Sequence, residues 1–173
     1  MSTNFNSIVA EEKYMNLTWQ VNNLCNYRCT YCNPGNWAGS SPNNGNLDKY
    51  ITNLDKIFSL YKDKGYKNFK LFFSGGEPTY WENLIPIVEF AKETLPNTTI
   101  AINTNLSRPL RYWEKYYHLF DDIVASYHIE WAKKERYIEN AIFLCDKVNY
   151  LCTKMLLHDE RFWEVVEIGK EVR

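Results

Sequence analysis

Three closely spaced cysteines, Cys25, Cys29 and Cys32, are the residues whose types and spacing best suit chemistry. Three thiolates at this spacing can hold three corners of an iron–sulfur cubane and leave one iron free for another ligand. A structural zinc site is the alternative, but it takes four protein ligands, commonly as two CxxC pairs, and the sequence has no second pair. The spacing therefore favours a catalytic cluster over zinc.

The other two of the five cysteines, Cys145 and Cys152, fall in a predicted helix and a predicted strand. A free cysteine in such an element is usually a small buried hydrophobic residue. An odd number of cysteines in a chain without a recognisable secretion signal points to metal binding or catalysis rather than to disulfides.

A second candidate is the turn Gly75-Gly76-Glu77-Pro78, which follows a predicted strand. Consecutive glycines permit close backbone approach and positive φ, and their N–H and C=O groups can bind a small polar ligand. Taken alone, the sequence is more typical of an ordinary turn than of a functional site. Loops that follow neighbouring parallel strands open on the same face, so we expect the cysteine and glycine loops to share a site.

Alternating strands and helices must position these loops. The patterns predict strands over residues 17–24, 68–73, 98–103, 122–127 and 149–156, and helices over about 46–64, 81–94, 110–119, 132–145 and 160–171. Residues 25–46 form a long loop whose length suggests function. Such alternation predicts an α/β fold with a parallel sheet or an open or closed barrel. At roughly 31 residues per unit, the 173 residues exclude a complete eight-unit barrel.

Composition predicts one globular core. We expect an N-terminal tail over residues 1–16 and a single core domain over 17–173, since 45% of residues are hydrophobic and 24% charged. Twenty basic residues against 21 acidic ones exclude a strongly basic, phosphate-binding surface. The polar N-terminus and the lack of a long apolar window predict a cytoplasmic protein without a membrane span.

Together, the two motifs resemble those of the radical S-adenosylmethionine (SAM) superfamily. The match is to its CxxxCxΦC motif, with Tyr31 as the aromatic Φ, and to its GGE motif in GGEP form. The resemblance implies a [4Fe–4S] cluster on the three motif cysteines, whose fourth iron chelates the amino and carboxylate groups of SAM. It also implies that Gly75, Gly76 and Glu77 contact the methionyl amino group and that Tyr31 lies near the adenine.

Two further matches are partial. Family members that modify peptides carry Thr-Asn-Gly after the third strand and Ser-x-Asp after the fourth. Here these positions read Thr104-Asn105-Leu106 and Ser126-Tyr127-His128. The resemblance implies that Thr104, Asn105 and Ser126 offer hydrogen bonds to the ribose or the carboxylate of SAM.

Two residues near these matches have alternative interpretations. His128, which replaces an acidic residue, could serve as a proton donor in catalysis, as a substrate contact or as a satisfied polar residue at a strand end. Arg136, on the following predicted helix, either pairs with the SAM carboxylate or is a solvated surface residue.

The resemblance implies an enzyme that reductively cleaves SAM to a 5′-deoxyadenosyl radical, which then abstracts hydrogen from a substrate. The substrate would be a peptide, a protein or a small molecule, of which the partial matches favour a peptide or a protein. The electron would come from a reductase or a flavodoxin-type donor. An inactive iron–sulfur or SAM-binding module for electron transfer is the alternative, although such a module would not need the glycine turn. RNA modification is a third hypothesis that the balanced charge does not favour.

The family pattern implies about six strand–helix units, of which five can be placed, so we expect a shortened, open barrel of five to six units. Three explanations remain: a minimal enzyme, a barrel completed by a partner protein or a second copy, or a chain that ends early. An unpaired edge strand favours association.

Overall fold

The computed structural model describes residues 13–21, 23–32 and 45–172. Five strands and five α-helices alternate along this part of the chain. The strands are β1 (Tyr14–Gln20), β2 (Asn68–Ser74), β3 (Thr98–Thr104), β4 (Asp122–Tyr127) and β5 (Tyr150–Met155). The helices are α1 (Leu47–Asp63), α2 (Leu84–Thr94), α3 (Leu110–Tyr116), α4 (Lys134–Leu144) and α5 (Phe162–Glu171).

The strands form one parallel sheet in the sequential order β1-β2-β3-β4-β5. Because βα crossovers are right-handed, a sheet that always advances in one direction keeps its helices on one face. The opposite face stays concave and open. This arrangement confirms the predicted α/β class, and it places the loops after the strands around one rim.

Alternation along β2 shows the two faces of the sheet. Phe69, Leu71 and Phe73 are buried beneath the helices, while Lys70 and Phe72 lie half-buried on the concave face. Near the start of the strands, the Lys70 Nζ atom lies 2.5 Å from Asp122 Oδ2 of β4. The apolar core therefore lies on the helical side, and the concave side carries polar groups.

Helix α1 shows how local sequence sets the element ends. The Asn46 side chain caps it by accepting from the Asp48 backbone N–H at 2.8 Å. Leu54 and Phe58, four residues apart, are buried in the core. The chain leaves the helix at Gly65, whose φ of +83° is a left-handed conformation that favours glycine.

The first strand differs from its prediction. It begins at Tyr14 and ends at Gln20 rather than spanning residues 17–24, and Tyr14 pairs with Asn68 at the start of β2. Pairing with β2 stabilises these polar residues as a strand, and the side chain of Met15 is buried. Residues 14–16 thus belong to the sheet. Residues 1–12 of the predicted tail and 33–44 of the predicted loop lie outside the described residues.

Helix boundaries shift for a local reason. Helix α2 begins at Leu84 rather than at Trp81, because Pro78–Tyr80 forms a 3₁₀ turn and Trp81 is extended.

In the described part of the chain, no helix has the length and apolar character needed to cross a membrane.

We predict that Leu71→Ala lowers the free energy of unfolding by about 2–5 kcal/mol, because it leaves a cavity at a fully buried position in the middle of the sheet. Leu60→Ala is the matched control, since Leu60 is 52% exposed on α1, and its effect should stay within about 0.5 kcal/mol. Urea unfolding followed by circular dichroism measures both. Equal losses would contradict the assigned core.

Candidate functional site

The carboxyl ends of the parallel strands surround a cavity of about 300 Å³. The cysteine loop (residues 25–32), the glycine turn (residues 75–78) and the ends of β3, β4 and β5 form its wall. Of the residues predicted from the sequence, those that line it are Cys25, Cys29, Cys32, Gly75, Gly76, Glu77, Thr104, Asn105, Ser126 and His128. The structure therefore brings both loops into one site.

A larger cavity, of about 380 Å³, lies at the opposite ends of the strands. It is bounded by α1, the start of β2 and the segment after α2. Functional groups of parallel α/β proteins lie at the carboxyl ends of the strands. We therefore assign the candidate site to the smaller cavity.

The thiols of the cysteine loop sit in a setting that disfavours negative charge. The Cys25 sulfur accepts from the Tyr27 backbone N–H at 3.4 Å and from Asn105 Nδ2 at 3.8 Å. Burial, together with Glu77 and the other two thiols, nevertheless raises the pKa of Cys25 to about 11. Burial also raises the pKa of Cys29. Thiolates here need a compensating positive charge, which the iron of a bound cluster would supply.

The donor set fits a cluster better than a single ion. All three motif cysteines are free thiols and line the same cavity. Within the described ranges, no three His, Cys, Asp or Glu side chains converge on one point that could hold one metal ion. A cubane places its thiolates on separate corners, so it does not require such convergence.

The glycine turn packs directly against the segment that leads into Cys25. A Cβ atom at Gly76 would lie 2.1 Å from the Leu24 carbonyl oxygen, and the Glu77 N–H donates to that same oxygen at 2.7 Å. Gly75 adopts a φ of +129°, which L side chains rarely adopt. The two glycines are thus needed for the loops to meet.

Glu77 is fully buried and accepts four hydrogen bonds. Its Oε1 atom accepts from Thr79 N at 3.2 Å, from Thr79 Oγ1 at 2.7 Å and from Thr104 Oγ1 at 2.8 Å. Its Oε2 atom accepts from the Asn105 N–H at 2.6 Å. Burial raises the pKa of Glu77, and these donors oppose the rise. The carboxylate thus joins the glycine turn to the end of β3, and its contact with the SAM amino group stays a prediction.

Leu106, where the family pattern has glycine, adopts the left-handed conformation with a φ of +53°. That conformation costs about 1–2 kcal/mol for a residue with a Cβ. Burial of a leucine side chain contributes about 1.5–3 kcal/mol, and Leu106 is only 1% exposed. Asn140 of α4 also fixes the backbone here by donating to the Leu106 carbonyl at 2.9 Å. Packing therefore offsets the strain of this departure.

His128 lies against the cysteine loop. Its Nδ1 atom is 3.0 Å from the Tyr31 hydroxyl and 3.6 Å from Cys29 Sγ, and its ring stacks on that of Tyr31. Burial lowers the pKa of His128, so the neutral imidazole dominates at pH 7. Tyr31, the aromatic residue of the motif, is 46% exposed and does not line the cavity, and its place near the adenine stays a prediction.

Ser126 and Arg136 have different surroundings. Ser126 lines the cavity and donates through Oγ to Asn103 Oδ1 at 3.3 Å. Arg136 donates to the Ser107 carbonyl at 3.2 Å and lines a separate hollow of about 110 Å³. The structure therefore does not bring Arg136 into the cavity, and it stabilises the loop after β3 instead.

Glu130, which belongs to neither motif and was not predicted from the sequence, holds the cysteine loop from the segment after β4. Its carboxylate accepts from the Thr30 N–H at 2.8 Å and from Thr30 Oγ1 at 2.5 Å, and lies 3.7 Å from His158 Nε2. The hydrogen bond from Thr30 holds the pKa of Glu130 below its usual range. No sequence signal connects two residues 100 positions apart.

Four residues that line the cavity were not predicted from the sequence: Tyr27, Leu156, Asn103 and Lys154. A usable signal existed for the last two. Strand alternation places Asn103 of β3 and Lys154 of β5 on the concave face, together with Ser126.

A family model described as the radical SAM superfamily matches residues 19–129. The chain belongs to the radical SAM superfamily. This match confirms the resemblance seen in the two motifs. Members of the superfamily generally bind a [4Fe–4S] cluster and SAM.

Curated relatives include several enzymes named GTP 3′,8-cyclase. The one from Actinobacillus pleuropneumoniae serotype 5b (strain L20) is 26% identical over 108 residues, which is 61% of this chain and 31% of that protein. The one from Edwardsiella ictaluri (strain 93-146) is 31% identical over 97 residues, 55% of this chain and 28% of that protein. The chain thus spans under a third of these relatives.

Two solved structures resemble the fold. The structure of BtrN in complex with AdoMet and 2-DOIA has a TM-score of 0.53 at 21% identity, and covers 82% of this chain and 56% of that one. Native anSMEcpe with bound AdoMet has a TM-score of 0.58 at 16% identity, and covers 91% and 49%. These similarities confirm the partial-barrel fold of the superfamily.

We predict that Gly76→Ala lowers the free energy of unfolding by about 1–3 kcal/mol and reduces the iron retained after reconstitution, because the new Cβ meets rigid backbone at Leu24. Gly169→Ala is the matched control, since its Cβ would only reach 3.4 Å from a flexible Met155 side-chain atom. Urea unfolding and iron analysis measure the effects. Normal iron retention in the Gly76 variant would contradict the close packing of the two loops.

We predict that Glu130→Gln speeds the loss of iron to a chelator roughly tenfold, because a charge-assisted contact to Thr30 contributes about 1.5–3 kcal/mol. Glu139→Gln, on the exposed surface of α4, should match the parent protein. Iron release is followed by absorbance under anaerobic conditions. Identical rates for both variants would show that Glu130 does not hold the cysteine loop.

Proposed function

We propose that this protein is a radical SAM enzyme that binds a [4Fe–4S] cluster through Cys25, Cys29 and Cys32 and SAM in the adjoining cavity. The observation that carries the proposal is the meeting of the three cysteines and the glycine turn in one cavity of about 300 Å³. A volume at the lower end of the usual range for ligand sites suits a small organic molecule.

Cys25, Cys29 and Cys32 would hold the cluster, and the bound cluster and SAM would supply the chemistry of one-electron cleavage of the sulfonium C5′–S bond and hydrogen abstraction from the substrate. The chain supplies binding, orientation and exclusion of water. The cysteine loop is held by Asn105 at one end and by Glu130 near the other. The backbone at Gly75 and Gly76 offers polar groups to the methionyl end of SAM.

The concave face of the sheet is the floor on which a substrate would lie. Asn103 and Ser126 present polar groups there, while Leu156 adds apolar surface. His128 stands between this floor and the cysteine loop, where it is placed for contact with a substrate. Its roles as proton donor or structural residue remain the alternatives.

A small-molecule substrate is favoured over a peptide. The curated relatives are named for a reaction of GTP, and one similar structure holds 2-DOIA beside AdoMet. The partial Thr-Asn and Ser-x-His matches, which favoured a peptide, find no support among these relatives. An electron donor of reductase or flavodoxin type, association through an edge strand and a cytoplasmic location stay predictions from the sequence.

Anaerobic reconstitution tests the proposal. We expect the protein to bind about four irons per chain and, with SAM and dithionite, to form 5′-deoxyadenosine and methionine. Cluster absorbance, iron analysis and chromatography measure the three outcomes. An intact cluster without 5′-deoxyadenosine would contradict the enzyme and leave an electron-transfer or binding module.

Cys29→Ala should abolish both the cluster absorbance and SAM cleavage, because it removes one corner ligand. Cys145→Ala is the matched control, since Cys145 is an exposed thiol outside the cavity and should leave both signals unchanged. A fully coloured Cys29 variant would exclude Cys29 as a ligand.

A further inference from the structure

Lys154 is the residue of the cavity that neither motif accounts for. It lies near the end of β5, and among the residues that line the cavity it is the one lysine or arginine. Lys154 therefore brings a formal positive charge to this wall.

The sheet register fixes where Lys154 points. Lys154 pairs with Ser126 of β4, and Asn103 pairs with Val124, two residues before Ser126. Paired residues of parallel strands share a face, as do residues two apart. Lys154, Ser126 and Asn103 consequently face the concave side together.

Lys154 has no hydrogen-bond or ion-pair partner within the described residues. By contrast, Lys70 of β2 pairs with Asp122, and Lys92 of α2 pairs with Asp121. The carboxylate that lines the same cavity, Glu77, is fully buried and already accepts hydrogen bonds from its own surroundings. The Lys154 ammonium group is thus available to a ligand.

A second donor accompanies it. The Asn103 Oδ1 atom accepts a hydrogen bond from the Ser126 hydroxyl. Its Nδ2 group donates to no residue in the part of the chain described. An ammonium group and an amide N–H on one wall suit an oxyanion, since charge-assisted hydrogen bonds to phosphate or carboxylate are among the strongest in proteins.

We propose that Lys154, with Asn103, binds an oxyanion group of the substrate, a phosphate or a carboxylate, on the concave face of the sheet. This inference rests on the proposed function, which assigns the methionyl end of SAM to the glycine turn after β2. Three strand spacings of about 4.8 Å separate β2 from β5, so Lys154 lies on the wall opposite the glycine turn that would hold that end of SAM. The anion therefore belongs to the substrate rather than to SAM.

The test measures binding of inorganic phosphate and of acetate to the reconstituted, SAM-saturated protein by anaerobic calorimetry. We expect saturable binding of at least one anion, weakened roughly tenfold by Lys154→Met, because a hydrogen bond to a charged group is lost. Lys154→Arg, which keeps the charge, should restore most of the affinity. Lys56→Met, on the exposed face of α1, is the matched control and should bind as the parent does.

The two anions distinguish the source. Tighter binding of phosphate would indicate a phosphorylated substrate, and tighter binding of acetate would indicate a carboxylic acid. Absence of saturable binding to the parent protein, or equal affinity in Lys154→Met, overturns the proposal. So does a tenfold loss of SAM affinity in Lys154→Met with unchanged anion binding, since Lys154 would then serve the SAM carboxylate.

Failure of the proposed function gives a different result. Without substrate, 5′-deoxyadenosine forms from SAM and dithionite with a hydrogen atom taken from the buffer, so its formation reports on the cluster and SAM alone. Anion binding that depends on Lys154, without formation of 5′-deoxyadenosine, would support the oxyanion site and contradict the proposed enzyme activity. Formation of 5′-deoxyadenosine without such anion binding would contradict the oxyanion site and support the enzyme activity.

Discussion

The buried carboxylate of Glu77 is the interaction on which the site depends. It joins the glycine turn after β2 to the backbone after β3 through hydrogen bonds from Thr79, Thr104 and Asn105. An unpaired buried donor costs about 1–3 kcal/mol, so removal of this carboxylate would leave several buried donors without an acceptor. Because its oxygens accept these hydrogen bonds, the carboxylate can lie in the core of the site.

Hydrogen bonds of Asn105 connect Glu77 to the cysteine loop. Asn105 donates its backbone N–H to Glu77, and its side-chain amide donates to Cys25 and to Asn26. Glu130, after β4, binds Thr30 between the second and third cysteines. Loops after three different strands therefore fix one short segment, and this explains why the thiols, the glycine turn and His128 line a common cavity.

Much of this arrangement could be predicted. The five units followed from hydrophobic patterns, and four strands were placed within a residue of their bounds at both ends, because each is a short run between clear turn signals. Strand β1 was misplaced because its polar residues are stabilised by pairing with β2, a contact between residues more than 50 positions apart. The role of Leu106 was equally hidden, since its left-handed backbone depends on burial and on Asn140.

The sequence by itself determined the available functional groups and the units that carry them. These are three thiols at cluster spacing, a glycine turn, and five strand–helix units whose loops must open on one rim. Spacing and periodicity are local properties, so they can be read directly from the order of the residues. The tertiary structure alone decided which side chains complete the site. Glu130 meets Thr30, Lys154 joins Asn103 on the concave face, and Arg136 turns to the backbone of Ser107 instead. These contacts depend on strand register and loop packing, which no short stretch of sequence encodes.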